Sequence, residues 1–253
     1  MVTADKKRVM LTVAYDGSAY HGWQIQPAGR TVEGELNSAL SSLCGEQICV
    51  TGASRTDAGV HALCNKAVFD TTARMPAEKF SYALNTYLPE DIRIRGAEEV
   101  AADFHPRRCA CIKTYEYRIL NAPFPDPTQR LYSFFTYVQL DVEKMRRGAA
   151  YFKGTHDFAA VSTFKPEIES TVRTITDIDV KRSGSLITLR VSGNGFLYHM
   201  VRIIAGTLME VGRGRIAPEE VERILLSKDR SQAGPTAAAC GLTLADLQYY
   251  SGH

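Results

Sequence analysis

The stretch Thr171–Gly193, "TVRTITDIDVKRSGSLITLRVSG", decides the fold class. Two runs alternate between apolar or β-branched and polar residues, and Ser183-Gly184-Ser185 separates them. Two such runs around a Ser/Gly turn predict a β-hairpin, and a hairpin requires antiparallel sheet. Working outward, "FLYHMVRIIAGTLMEVG" (196–212) and "APEEVERILLSK" (217–228) read as helices. "KTYEYRIL" (113–120) reads as a strand and "VEKMRRGAAYFKG" (142–154) as a helix. The N-terminal part has similar pieces. "RVMLTVAYD" (8–16), "ICVTGAS" (48–54), "NKAVFDT" (65–71) and "IRIRGAEEV" (92–100) read as strands. "MPAEKFSYALNTYLP" (75–89) reads as a helix, and so does "TVEGELNSALSSLCG" (31–45), with Thr31 as N-cap, Gly45 as stop and a stripe of Val32, Leu36, Ala39, Leu40 and Leu43. Strands and helices are mixed in both parts, so the class is α+β, built on mixed, largely antiparallel sheets.

The chain has 253 residues, 45% of them hydrophobic and 23% charged, with a net charge of +2. That is ordinary for a globular protein and long enough for a sizeable core. No apolar run approaches the roughly 18 residues of a membrane span. The opening "MVTADKKRVMLTVAYDG" lacks the pattern of a signal peptide, which implies a cytoplasmic location. The six cysteines, Cys44, Cys49, Cys64, Cys109, Cys111 and Cys240, form no C-x-x-C pair. They read as reduced, mostly buried thiols, not as a disulfide framework or a zinc site.

Three features carry possible chemistry. In "GASRTDAGVHA" (52–62), Arg55 and Asp57 stand two apart in a loop between strands. Asp before Ala-Gly is a common turn residue; it is also where a carboxylate can be held in a tuned environment. Burial raises a carboxylate pKa and a cation lowers it, so a buried carboxylate that acts as nucleophile or base calls for a basic partner. Arg202 is the candidate partner, within an apolar helix whose core stripe is Val201, Ile204, Leu208 and Val211. Ala205 and Gly206, three and four residues on, leave bare surface on which another segment can lie. The alternative is an arginine reaching from the helix edge to solvent.

The third feature is "FHPRRCACIKTYEYR" (104–118). It sets Arg107, Arg108, Lys113 and Arg118 against one acid, Glu116, and interleaves Phe104, His105, Tyr115 and Tyr117. Cations among aromatics suit phosphates and stacked bases; a strand with a solvated face has the same pattern. Alternation places Tyr115, Tyr117 and Ile119 on one face, so Tyr115 is either a core residue or an aromatic platform. Phosphate-binding Gly-rich loops, a G-x-S-x-G elbow and histidines at metal-ligand spacing are absent.

Together these pieces resemble the TruA family of tRNA pseudouridine synthases, in order and through almost the whole chain. "YDGSAYHGWQIQ" (15–26) is similar to the family's N-terminal motif and "SRTDAGVHA" (54–62) to its catalytic motif. "DFHPRRCACIKTYEYRI" (103–119) is similar to the RNA-contact segment and the strand bearing the active-site Tyr. "GFLYHMVRIIAGTLMEVGRG" (195–214) is similar to the segment bearing the basic partner, and "AGPTAAACGLTL" (233–244) to the C-terminal apolar wall. Ser54, Pro106 and Cys109 depart from the more usual Gly, Ala and Ser.

The resemblance implies a pseudouridine synthase fold of two similar α/β halves around a central RNA-binding cleft. An N-terminal half (1–103) carries the catalytic Asp loop, and a C-terminal half (104–253) carries Tyr and Arg. It implies isomerisation of uridine to pseudouridine at positions 38, 39 and 40 of the tRNA anticodon stem-loop, by a homodimer with no metal and no organic cofactor. The catalytic residues implied are Asp57, Arg202 and Tyr115, with Tyr115 also stacking on the uracil. Arg55 holds the flipped nucleotide, and Leu242 or Leu244 closes the pocket. Phe104, His105, Arg107, Arg108, Lys165 and Arg173 are further candidates for contact with the RNA.

Overall fold

The computed structural model describes residues 6–166 and 168–250. The first five residues, on which the reading of the N-terminus partly rests, lie outside them. Two compact units divide the chain: one runs to Ala110 and regains the chain from Leu244, and the other spans Cys111–Thr243. The division expected at residue 103 keeps the chain in two continuous halves; these units part seven residues later, and the first is discontinuous.

In the first unit, β1 (Lys7–Tyr15) pairs antiparallel with both β3 (His61–Thr71) and β4 (Ile92–Val100). The short β2 (Thr51–Gly52) pairs with β3, and β10 (Leu242–Tyr249) also neighbours β3. The helix α1 (Val32–Cys44) follows its sequence signals closely. The Thr31 hydroxyl accepts the Gly34 N–H, and Gly45 ends the helix at φ 68°, a left-handed conformation that costs a residue without Cβ least. Val32, Leu36, Ala39 and Leu40 are buried, and Leu43 is half-buried. The second helix, α2 (Lys79–Leu84), is far shorter than "MPAEKFSYALNTYLP" suggests. Tyr82 and Tyr87 are exposed, so only Phe80 and Leu84 anchor it.

The second unit is built on β5 (Cys111–Asn121), β9 (Leu186–Gly193), β8 (Val172–Ser183) and β7 (Gly154–Asp157), adjacent in that order and antiparallel. A short β6 (Phe134–Thr136) runs parallel to β5. The hairpin is as read: Ser183 faces Leu186 across Gly184-Ser185, with Gly184 at φ 58°. Tyr115, Tyr117 and Ile119 are all buried on β5, as their alternation requires. Among the described residues the unit also has the α-helices α3 (Val142–Ala150), α4 (Met200–Gly212) and α5 (Glu220–Ser227).

Three expectations are corrected here. The run from Phe196 is not helical at its start, because His199 takes φ 62° and α4 begins only at Met200. Nor does α4 carry a mere stripe: every residue in it except Arg202 is buried. The thiols differ too. All six cysteines are free, but only Cys111 is buried and Cys49 is exposed.

Candidate active site

The loop Ala53–Val60 joins β2 to β3 and carries Arg55 and Asp57. Its shape comes from bonds made around those two residues. The Trp23 N–H donates to the Thr56 carbonyl (3.0 Å), and Gly59 N–H to the Tyr20 carbonyl (3.3 Å). Val60 N–H closes a turn onto the Asp57 carbonyl at 3.1 Å. The Tyr15 and Thr56 hydroxyls share a hydrogen bond of 2.7 Å. Asn65, fully buried in β3, accepts the Ser54 N–H through Oδ1 and donates through Nδ2 to the Ser54 carbonyl. One amide side chain thus satisfies both backbone groups of the residue before Arg55. At the loop's far end, Gly17 N–H donates to His61 Nδ1 at 3.1 Å.

This explains why "YDGSAYHGW" and "SRTDAGVHA" occur in one chain: the first is the seat of the second. A Cβ on Gly17 falls 2.0 Å from the Val60 carbonyl oxygen. Gly22, at φ 91°, places its missing Cβ 2.7 Å from the Thr56 carbonyl oxygen. Gly52 carries the Trp23 indole, 2.4 Å from where a Cβ would stand. A Gly17→Ala protein is therefore expected to keep its fold but shift the loop. Displacement on the ångström scale costs about 10²-fold in turnover. Steady-state kinetics on tRNA, with Tm measured alongside, check this.

Within that frame Asp57 is half-buried and Arg55 is exposed. Arg55 and Arg107 line one shallow pocket of about 70 Å³ with Trp23 and Gln24. Burial pulls the Arg107 guanidinium below its ordinary value, and the neighbouring charge of Arg55 pulls it further. The Glu33 carboxylate lines the same pocket and acts in the opposite direction, so two guanidiniums and one carboxylate meet there. Arg107 and Arg108 stand on a turn in which the His105 carbonyl accepts the N–H of Arg108 (2.9 Å) and Cys109 (3.1 Å). The His105 ring shapes the same turn, since Nδ1 accepts the Arg107 N–H at 3.3 Å.

Phe104 sits in the core instead of on a binding surface. It packs with Met10 and Val68 and meets Tyr249 edge-on at 4.9 Å. Its backbone carbonyl accepts from Arg8 Nη1 at 2.9 Å.

In the second unit, Arg202 is the one residue of α4 that is not buried, and it is half-buried. Its Nε donates to the Ala237 carbonyl at 2.7 Å, while Ala237 N–H donates back to the Arg202 carbonyl at 3.1 Å. The bare surface at Ala205 and Gly206 serves as expected, for residues 234–237 lie directly on it. A Cβ on Gly206 falls 1.8 Å from the Pro235 carbonyl oxygen. The next carbonyl, of Ala238, accepts the Tyr117 hydroxyl at 2.8 Å. Burial pushes the Tyr117 phenol well up, and the positive charge of Arg202 acts in the opposite direction. Tyr115, two residues earlier on the same face, has its ring held edge-on by Phe196 at 5.1 Å.

The remaining candidates are dispersed. Leu242 and Leu244 are both buried on β10. The Arg173 guanidinium turns back on its own strand, where Nη1 donates to the carbonyls of Ser170 (2.9 Å) and Val172 (2.6 Å). The Lys165 ammonium stands 4.3 Å over the Tyr198 ring. Sequence reasoning missed Tyr15, Asn65, His61 and Phe196. The signal for Asn65 was present: an amide inside "HALCNKAVFDT" is disfavoured in a strand unless its polar groups have a use.

A family model described as tRNA pseudouridine synthase matches residues 11–107 and 149–250. The chain belongs to the tRNA pseudouridine synthase family, and its reaction is the isomerisation of uridine in tRNA. It is 46% identical over 243 residues to tRNA pseudouridine synthase A of Acetivibrio thermocellus, covering 96% of this chain and all of that protein. It is 47% identical over 241 residues to the protein of the same name from Moorella thermoacetica, covering 94% and 98%. The fold is the pseudouridine synthase fold. Among the described residues, no helix is long and apolar enough to cross a membrane.

Proposed function

We propose that this synthase modifies positions 38, 39 and 40 in the anticodon stem-loop, works as a cytoplasmic homodimer, and uses Asp57 as its catalytic carboxylate. The observation that carries the reading is the Asp57 loop. Its bends are held by backbone carbonyls and buried side chains, which present the Asp57 carboxylate and the Arg55 guanidinium from a rigid frame. Fixed geometry of this kind is what a covalent or proton-transfer step at a sugar–base bond requires.

The reaction breaks the N1–C1′ bond, turns the uracil and joins C5 to C1′. Atoms and electrons are conserved within the nucleotide, so no redox partner enters the balance. The carboxylate has three routes: attack at C1′, attack at C6, or removal of the C2′ proton. Arg202 orients Asp57. Tyr115 stacks on the uracil and assists loss of the C5 proton, its ring fixed by Phe196. Arg55 and Arg107 share a phosphate beside the flipped nucleotide, since a stacked base is out of reach of the carboxylate. Leu242 or Leu244 closes the pocket and keeps water from a cleaved intermediate.

The test is to treat unmodified tRNA with the protein and map pseudouridine at single-nucleotide resolution. New pseudouridine at 38, 39 or 40 is expected. Pseudouridine confined to another arm of the tRNA overturns the site assignment and leaves the family activity in place.

A further inference from the structure

A second pocket, of about 340 Å³, lies wholly within the second unit. It is bounded by Ala159, by Ser162 to Lys165 and by Ile168, by Leu197 and Tyr198 ahead of α4, and by Lys228 and Arg230 beyond α5. Its walls are mostly apolar, yet Lys165, Lys228 and Arg230 all face it. Lys228 is engaged: its ammonium pairs with Asp157 at 2.9 Å. Among the described residues Arg230 is held by neutral groups, the Ala233 carbonyl and the Thr236 hydroxyl, which leave its charge for a ligand. Lys165 lies over the Tyr198 ring, which is stacked on its other side against His199 at 3.7 Å. Tyr198 therefore serves as a wall that holds Lys165 in place.

The available aromatic surface is Phe164, which is 84% exposed on the pocket rim. A phenylalanine left in water beside two cations is an uncovered stacking platform in the pattern used for single-stranded nucleic acid. The cavity is large enough for one nucleoside and too small for a duplex.

We propose that this pocket binds one unpaired nucleotide of the tRNA other than the uridine that is isomerised. The base stacks on Phe164 and Ile168, and Lys165 and Arg230 hold its phosphate. The proposal rests on tRNA being the substrate and is independent of which arm of the tRNA is modified.

The test uses the full chain and tRNA. Phe164→Trp places a reporter on the rim, and the native Trp23 is buried in the first unit as background. Its emission is expected to fall on saturation with tRNA as a base stacks on it. Phe164→Ala and Arg230→Ala are each expected to raise the tRNA Kd and KM about five-fold or more, the scale of one lost stacking or phosphate contact, with kcat unchanged, and Lys165→Ala is expected to raise the Kd by a similar factor. Phe164 is exposed, so its removal leaves stability intact, and Tm verifies this. Unchanged emission from the Phe164→Trp protein at saturating tRNA, or a wild-type Kd for Phe164→Ala, overturns the proposal. So does a loss confined to the Lys165 and Arg230 variants, because the pocket then only meets backbone phosphate. These readouts are of binding, so a pseudouridine map that contradicts the anticodon assignment leaves them standing.

Discussion

Asp57→Asn is expected to reduce pseudouridine formation by about 10⁴-fold or more, the scale on which loss of an essential nucleophile or base acts. The substitution is nearly isosteric. The loop is shaped by the Asp57 carbonyl, by Thr56 and Ser54, and by Tyr15 and Asn65. Those bonds survive in the variant, so Tm and tRNA affinity are expected to stay close to wild type while kcat collapses. Release of tritium from tRNA carrying 5-tritiated uridine reports the chemistry directly, because C5 loses its hydrogen only when it bonds to C1′. A folded Asp57→Asn protein with wild-type tritium release removes Asp57 from the mechanism.

Gly206→Ala is expected to be the most damaging single methyl group in the second unit. The new carbon falls 1.8 Å from the Pro235 carbonyl oxygen, which is backbone and cannot swing away as a side chain can. The segment must lift off α4, and with it go the Gly234 N–H bond to Thr207 (3.0 Å) and the reciprocal pair between Arg202 and Ala237. Overpacking of a rigid contact costs up to about 3 kcal/mol. In a chain of this size that corresponds to a fall in Tm of roughly 6–12 °C. Under the role proposed for Arg202, activity is expected to fall as well, since Arg202 loses the Ala237 carbonyl that its Nε donates to. Differential scanning calorimetry and kinetics on the same preparation separate the two effects. Unchanged stability shows that residues 234–237 do not bear on α4.

Where local chemistry is self-contained, the sequence was legible. Thr31 and Gly45 bound α1 because a hydroxyl cap and a residue without Cβ each act within one turn. The hairpin at Ser183–Ser185 is equally local. Gly206 was legible as a place of close approach, but not as the seat of Pro235, because the partner lies 29 residues on and no periodicity records it. The α4 start was misread because apolar residues continue back to Phe196, while a single left-handed residue, His199, interrupts the helix. Phe104 looked like an RNA contact by its neighbours Arg107 and Arg108, but its ring is needed in the core beside Tyr249. Composition marks a segment as basic and aromatic; only packing decides which of its aromatics is left for a ligand.

The discontinuity of the first unit bears on how the protein is made. The strand β3 runs directly out of the Asp57 loop, with β1 along one edge. On the other edge β2 pairs with it only at Val68 and Ala67. The remaining neighbour is β10, whose residues from Leu244 onward follow the whole of Cys111–Thr243. At about 5–20 residues per second, a ribosome needs roughly 7–27 s to traverse that intervening stretch. Throughout that interval the Asp57 loop leads into a strand with an open edge, the kind of surface that recruits stray strands from other chains. The nascent protein is thus exposed to misassembly at the strand that follows the Asp57 loop, until β10 arrives to cover it.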